Sequence, residues 1–556
     1  MIMSYNSPFA SRLAPVLLLL SLVGVGCAYI RPGENEPVLS RVPPQFRIVG
    51  RPVVHLLMDG CRADVLYELA DSGQLPNIKK YLVDRGTRVE NAMASLTSTT
   101  FANISVQLTG KVPGHLDFPG NAWLDRKTFI LRKINSARSV NRINTDITGP
   151  TMAETIGKER PDAWCAVIED TLTRGARYAN PLREWLGVCY FIRRWRLVDR
   201  FAIEAFHDVL LEANRRGTFP AHTFVHLIAT DNTGHIFGPA SQEYRDCIKH
   251  EDEQIGRLIR TFQAMGLADK ICLVITADHG MAPVRDVQEL ILHDFITNSL
   301  GIRCAYEPVE EDKPIAQRQA LLSQFRAVET TSGDRYCFVY LSNPDSNPQG
   351  LGRWSVVPSI EQMRHFRNDS GNVVNVVETL RRQPAVDLIC ARDDHTDCHI
   401  YSRSGESIIR ATGDIGARRY AYSVKAGQDP LGYESVRLCS NDLSRFHTAD
   451  EWFEATSASE RPNSVPEIYD LFDSPRAGDL VLFAAPGWNF KDTYKGAHGA
   501  ATRADMRIPM IIAGPGIRHG VLPRARAADL VPTFLDYMGI KSDVKFDGRS
   551  LLKQLE

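Results

Sequence analysis

This sequence predicts a large α/β fold: a mostly parallel sheet sandwiched by helices, with a cap inserted into it. Three observations carry the prediction. Short aliphatic runs alternate with amphipathic stretches from about residue 52 onward, polar turns bound these runs, and several of them lead straight into aspartate or histidine. The chain has 556 residues, 44% of them hydrophobic, which is enough to bury an extensive core. Its 65 Lys+Arg against 66 Asp+Glu leave a net charge of −1, so no long-range field gathers a polyanion. A small substrate is expected, not a nucleic-acid polymer.

Taken in order, Leu13–Ile30 is an almost uncharged apolar run between Arg12 and Arg31. It fits an export segment: a lipoprotein signal with Cys27 as the anchored residue, a cleaved secretion signal, or a short uncleaved anchor. Residues 1–27 are assigned to that signal, and membrane attachment is expected only through it, in the periplasm or on the outer surface. A polar linker follows at 28–51. The first part of an α/β core is expected over 52–300, with an insertion at about 126–221. There Trp185, Tyr190, Phe191, Trp195 and nearby arginines read as an amphipathic helix packed on the core. Residues 301–465 break the rhythm and are expected to form the cap, and 466–556 complete the core. The clearest strand candidates are Val53–Met58, Thr223–Ala229, Ile271–Thr276, Leu480–Ala484 and Ile508–Ala513. None of the eleven cysteines forms a C-x-x-C pair, which argues against a structural zinc knot. Cys390 and Cys398 are spaced to close a hairpin disulfide, and Cys272 reads as a buried thiol.

Chemistry-bearing residues cluster after these strands. Asp59 follows the first, Asp231 and His235 the second, Asp278 and His279 the third, and His498 lies between the last two. Ligands collect at the carboxyl ends of strands in open α/β sheets, so these residues are expected to converge. Carboxylate with imidazole is a ligand set for zinc or a similar divalent ion. Singly each is weak: Asp59 would serve equally as a turn residue, and Asp278-His279-Gly280 as a plain turn. In Asp231-Asn-Thr-Gly-His235, Gly234 is expected to turn a loop so that carboxylate and imidazole face one ion. His55 and His226, inside strand candidates, read as satisfied core groups, and His115 has no ligand partner in the pattern.

Together the segments LLMDGCR, TSTTFAN, ATDNTGH, ITADHGM and AHGA, in this order, resemble the alkaline phosphatase superfamily, and within it the type I phosphodiesterase/nucleotide pyrophosphatase branch. The resemblance covers Val53–Met281 and Leu480–Leu552, including ADLVPTFLDYMGI and DGRSL, and leaves the cap out. It implies two zinc ions, with manganese or another divalent ion as the alternative. One would be held by Asp59, Asp278 and His279, the other by Asp231, His235 and His498. Thr100 matches the nucleophile and metal-bound hydroxyl, with Ser98 and Thr99 as rivals, and Asn103 matches a donor to a phosphate oxygen. Ala102 and Ile104 depart from the usual proline and histidine. Asn121 and Arg174 stand in segments similar to phosphate-binding ones, and the lysine that accompanies the arginine in related monoesterases is missing. The implied activity is hydrolysis of a small phosphodiester or pyrophosphate through a phospho-threonine. Phosphomonoesterase and membrane-tethered phosphotransferase are the alternatives. If Thr100 begins a helix, its free N–H groups would favour an anion.

Overall fold

The computed structural model describes residues 43–134, 139–180, 189–190, 192–309, 311–343, 352–393, 397–438, 442–491 and 494–556. The Leu13–Ile30 run, Cys27, Trp185 and Phe191 lie outside them. Among the described residues, no helix is long and apolar enough to cross a membrane.

A nine-stranded central sheet organises the molecule. Its middle is parallel: Cys272–Thr276, Val53–Met58, His222–Leu227, Cys165–Ile168 and Tyr178–Asn180 run side by side in that order. Val53–Met58 and Cys272–Thr276 are buried throughout, as a sheet covered by helices on both faces requires. On the other flank Met510–Ala513 pairs antiparallel with Cys272–Thr276, and Thr87–Met93 pairs with Gly520–Arg526. The expected strand Ile508–Ala513 is interrupted at Pro509, which has no N–H for the ladder, leaving Arg507–Ile508 and Met510–Ala513 as two pieces. The 126–221 segment supplies Cys165–Ile168 and Tyr178–Asn180 to the sheet itself, so it is more than an insertion. Its helix Trp195–Glu204 is amphipathic as expected and buries Trp195, Val198, Ala202 and Ile203.

A second nine-stranded sheet, almost entirely antiparallel, runs from Cys304–Ala305 to His447–Thr448. Leu480–Ala484, expected beside the core strands, instead lies here between Tyr336–Leu341 and Val386–Arg392. Val481 and Phe483 face one apolar cluster, and Leu480, Leu482 and Ala484 face another. Burial on both faces produces the same unbroken apolar run that a parallel core strand shows. The first of these clusters also takes in Met93, Leu96, Ala500 and Met506, so the second sheet packs directly against loops of the central one. Cys390 and Cys398 are buried free thiols on neighbouring strands, with no disulfide between them, and Cys272 is buried as expected.

His115 ties distant segments together. Its Nδ1 lies 2.8 Å from Asp547 and its Nε2 3.1 Å from Asp473, while Arg418 and Arg392 also pair with Asp473. Burial opposes its charge, but the bonds to Asp473 and Asp547 outweigh it and raise its pKa to about 10. A histidine raised in the folded state contributes stability in full below its unfolded value and loses it as pH rises toward the folded one. We expect the wild-type melting temperature to fall from about pH 6.5 to 10, and His115→Gln to be less stable at pH 6 with a flatter profile across that window. Parallel thermal melts in a pH series check this.

Candidate metal and phosphate site

The expected residues converge at the carboxyl ends of the central parallel strands. Asp59 leaves Val53–Met58, followed by Gly60 in a left-handed turn (φ 63°). Gly60 lies so close to Asp231 that an added Cβ would sit 2.8 Å from its Oδ1, so only glycine permits the approach. The Gly60 N–H donates to Asp278 Oδ1 at 3.1 Å. Asp231 and His235 lie on the helix Ala229–Phe237 and not on a glycine-turned loop. One helical turn separates them, which brings His235 Nε2 within 3.4 Å of Asp231 Oδ1. Asp199 fixes the start of that helix by accepting from the N–H groups of Ile228 (2.7 Å) and Ala229 (3.1 Å).

His498 arrives from a loop clasped by the second sheet. Its N–H donates to Gly333 O at 2.8 Å, and its carbonyl accepts from Arg335 N at 3.0 Å. Arg335 is itself in a fully buried ion pair with Asp505 (3.1 Å), whose carbonyl accepts from Gly280 N at 2.7 Å. The His498 and His279 rings stack with centroids 3.5 Å apart. His498 Nε2 is 3.8 Å from Asp231 Oδ1, and His279 Nε2 is 3.4 Å from Asp59 Oδ1 and 3.2 Å from Asp278 Oδ2.

The histidine tautomers follow from their outer contacts. Nδ1 of His235, His279 and His498 faces the carbonyls of Gly496 (2.8 Å), Gly280 (2.8 Å) and Ser98 (2.9 Å). A carbonyl only accepts, so each Nδ1 donates its proton outward and each Nε2 is turned inward, where the neutral ring offers a lone pair. Asp59 Oδ1, Asp231 Oδ1 and Asp278 Oδ2 are buried and accept no hydrogen bond. Lone pairs thus face lone pairs, an arrangement that a divalent cation reconciles, and the outer N–H to carbonyl contacts are those metal-binding histidines make. Ligand atoms of Asp231, His235 and His498 form one compact group, and those of Asp59, Asp231 and His279 a second, with Asp278 beside it. Burial, then repulsion from Asp278 and Asp231, pushes the Asp59 carboxyl well above its ordinary value. Burial likewise raises Asp231 to about 6 and lowers His279 to about 3. The donor set fits two borderline divalent ions.

Thr100 is the first residue of the helix Thr100–Thr109, and its Oγ1 lies 3.2 Å from His279 Nε2. The rival hydroxyls are buried and occupied, Ser98 donating to Ala500 O and Thr99 sharing a bond with Thr97. Asn121 Oδ1 accepts from Phe101 N at 3.0 Å, which places this half-buried amide at the same helix start. Gly120 before it touches the Tyr336 hydroxyl so closely that a Cβ would fall 1.8 Å from it.

Two expected phosphate contacts lie elsewhere. Asn103 is fully buried, its Oδ1 accepting from Ser95 N (2.7 Å) and its Nδ2 donating to the carbonyls of Ser95, Thr97 and Thr99. It therefore holds the loop before Thr100 and has no hydrogen left for a phosphate. Arg174 spends its guanidinium on Glu154 (3.0 Å) and on the carbonyls of Asn144, Ile147 and Gly149. Sequence reasoning missed Glu467, buried, which accepts from Leu96 N (3.0 Å) and steadies the same loop. It also missed the site contact of His226, whose Nε2 lies 2.9 Å from Asp59 Oδ2. Nothing in a strand pattern marks either one.

A mixed α/β sheet with three carboxylates and three imidazoles gathered at its strand ends defines an alkaline-phosphatase-like protein. More narrowly, the chain belongs to the type I phosphodiesterase / nucleotide pyrophosphatase family, whose model matches residues 53–506. Murine ectonucleotide pyrophosphatase/phosphodiesterase 5 has a similar fold, with a TM-score of 0.54 at 14% identity, covering 90% of this chain and 97% of that one. An inactive threonine-to-alanine variant of that protein, in complex with AMP, gives a TM-score of 0.55 at 14% identity, covering 91% and 100%. Among curated relatives, ectonucleotide pyrophosphatase/phosphodiesterase family member 7 of Mus musculus is 44% identical over 54 residues, 10% of this chain and 12% of its own length. GPI ethanolamine phosphate transferase 1 of Mus musculus is 24% identical over 270 residues, 44% of this chain and 26% of its own length. An uncharacterized pyrophosphatase/phosphodiesterase of Schizosaccharomyces pombe is 26% identical over 251 residues, 42% and 45%. The matches thus span less than half the length of each of these curated relatives.

Replacing Asn103 by Ala leaves buried N–H and C=O groups of the Ser95–Thr99 loop unpaired. We expect a loss of about 2 kcal/mol in urea unfolding, with the central sheet intact by circular dichroism.

Proposed function

We propose that this protein is an exported phosphohydrolase that uses two divalent metals, zinc by ligand type, to cleave a small phosphodiester or pyrophosphate. The carrying observation is the placement of the Thr100 hydroxyl at a helix start, 3.2 Å from His279 Nε2 in a ring of inward-facing lone pairs. Family membership and the AMP complex of a similar fold support the phosphoester class, and the apolar Leu13–Ile30 run supports export. When bound, the two ions would supply Lewis acidity and offset the three carboxylates. Asp59, Asp278 and His279 would hold one and Asp231, His235 and His498 the other, with Asp231 close to both.

Thr100 Oγ1 would attack phosphorus as the bond to the leaving oxygen breaks, giving a phospho-threonine. Water would then cleave the new bond and restore the hydroxyl. The Asn121 amide, oriented by the Phe101 N–H on its oxygen, would present its NH₂ group to a phosphate oxygen. Arg174, the cation expected at the phosphate, is bonded instead to Glu154 and to three backbone carbonyls. This favours a diester, which bears less charge, over a monoester. The similarity to GPI ethanolamine phosphate transferase 1 favours a second reading, in which the phospho-threonine passes its group to an alcohol instead of water.

Turnover of a bis-aryl phosphate is expected to exceed that of the matching mono-aryl phosphate on zinc-loaded protein. Thr100→Ala is expected to lower it by about a thousandfold or more while zinc stays bound. A monoester preference would overturn the diester reading, and added alcohols that divert the product would favour the transferase. Replacing His498 by Ala should lower zinc content from two equivalents to one by elemental analysis.

A further inference from the structure

We infer that His226 and Asp170 are positioning residues for the metal ligand Asp59, forming a carboxylate–imidazole–carboxylate bridge across three adjacent parallel strands. The inference rests on the two-metal reading above and deepens it. The strands Val53–Met58, His222–Leu227 and Cys165–Ile168 are consecutive neighbours in the central sheet. Each contributes one member of the bridge at its carboxyl end. His226 pairs in register with Leu57, two residues before Asp59, and Asp170 follows Ile168 by two. His226 Nε2 lies 2.9 Å from Asp59 Oδ2, and its Nδ1 lies 3.0 Å from Asp170 Oδ2. All three side chains are buried.

Nε2 meets Asp59 Oδ2 at hydrogen-bond distance, and Nδ1 lies within ion-pair reach of Asp170 Oδ2, on the far side from the site. Asp59 Oδ2 is thereby occupied, and only Oδ1, which accepts no hydrogen bond, is left to face the cluster of Asp231 and His279. His226 thus restricts Asp59 to a single inward oxygen at a fixed angle.

The far end of the bridge is also built to hold its place. Asp170 Oδ1 accepts from Leu172 N at 2.7 Å. Glu169 before it is buried and left-handed (φ 56°), a backbone state unusual for a residue with a Cβ. It turns the chain directly after Cys165–Ile168. Such strain persists where the surroundings over-determine it, and here it delivers Asp170 to the imidazole. A histidine needed only to fill the core would require neither carboxylate. His55, one strand away and bonded to Thr276 Oγ1 at 2.7 Å, is that kind of residue.

The test measures zinc affinity by chelator competition on full-length wild type, His226→Ala, His226→Gln and Asp170→Asn, with thermal melts of each zinc-free protein. His226→Ala is expected to hold one zinc as tightly as wild type and the other roughly 10–100-fold more weakly. Asp170→Asn, which keeps the shape and removes the charge, is expected to weaken the same zinc by less. His226→Gln, which restores one donor, should recover part of the loss, a rescue that a space-filling role would not produce. Two zinc ions bound at wild-type affinity in a folded His226→Ala, or in Asp170→Asn and His226→Gln should His226→Ala not fold, would overturn the bridge and leave the two-metal reading standing. A wild type that takes up no divalent ion would overturn that reading, and the bridge with it.

Discussion

Mutual repulsion among Asp59, Asp231 and Asp278 is the constraint to which the rest of this structure answers. Three separate strand ends deliver these carboxylates to one place, and their inward oxygens accept no hydrogen bond. Left to themselves, groups so placed would splay apart or take up protons. The protein prevents the first by fixing every approach: Gly60 lets the backbone touch Asp231, Asp199 pins the helix that carries it, and His226 grips Asp59 from behind. A cation would relieve this crowding of carboxyl oxygens, so the cluster fits a metal site by its physics as well as by its family.

The second sheet has a part in this that its position in the chain does not suggest. Its turn at Gly333–Arg335 receives the His498 backbone on both sides, and Arg335 reaches Asp505 in a dry ion pair. The apolar cluster on one of its faces takes in Leu96 and Met93 before the helix Thr100–Thr109 and Ala500 beyond His498. The sheet is therefore a wall of the site, packed against the approach to the Thr100 hydroxyl and holding one of the imidazoles beside it.

How much of this was legible in the sequence depended on whether a residue's role was local. The aspartates and histidines of the cluster were visible because each follows a strand or shares a short motif, and the fold class followed from the rhythm of the runs. Leu480–Ala484 was misplaced because burial on both faces erases the alternation that separates sheet types. Asp231 and His235 were read as a loop, since Gly234 masks a helical turn. Asn103 and Asn121 are the most instructive pair. Both are amides near Thr100, and only the partners of their side chains, Ser95–Thr99 for one and Phe101 N for the other, distinguish a loop brace from a group at the helix start. Arg174, Glu467 and His226 depend on contacts across tens to hundreds of residues, which no spacing encodes.

His498 gives the assembly a direction in time. Asp59, Asp231, His235, Asp278 and His279 all emerge within the first 279 residues of the sequence, before every strand of the second sheet, and His498 only after them. The turn at Gly333–Arg335 receives it, so the group of Asp231, His235 and His498 closes only with the second sheet in place, whereas the group of Asp59, Asp231 and His279 draws its side chains from the first 279 residues. The completed pair of sites thus reports that both sheets have folded and docked.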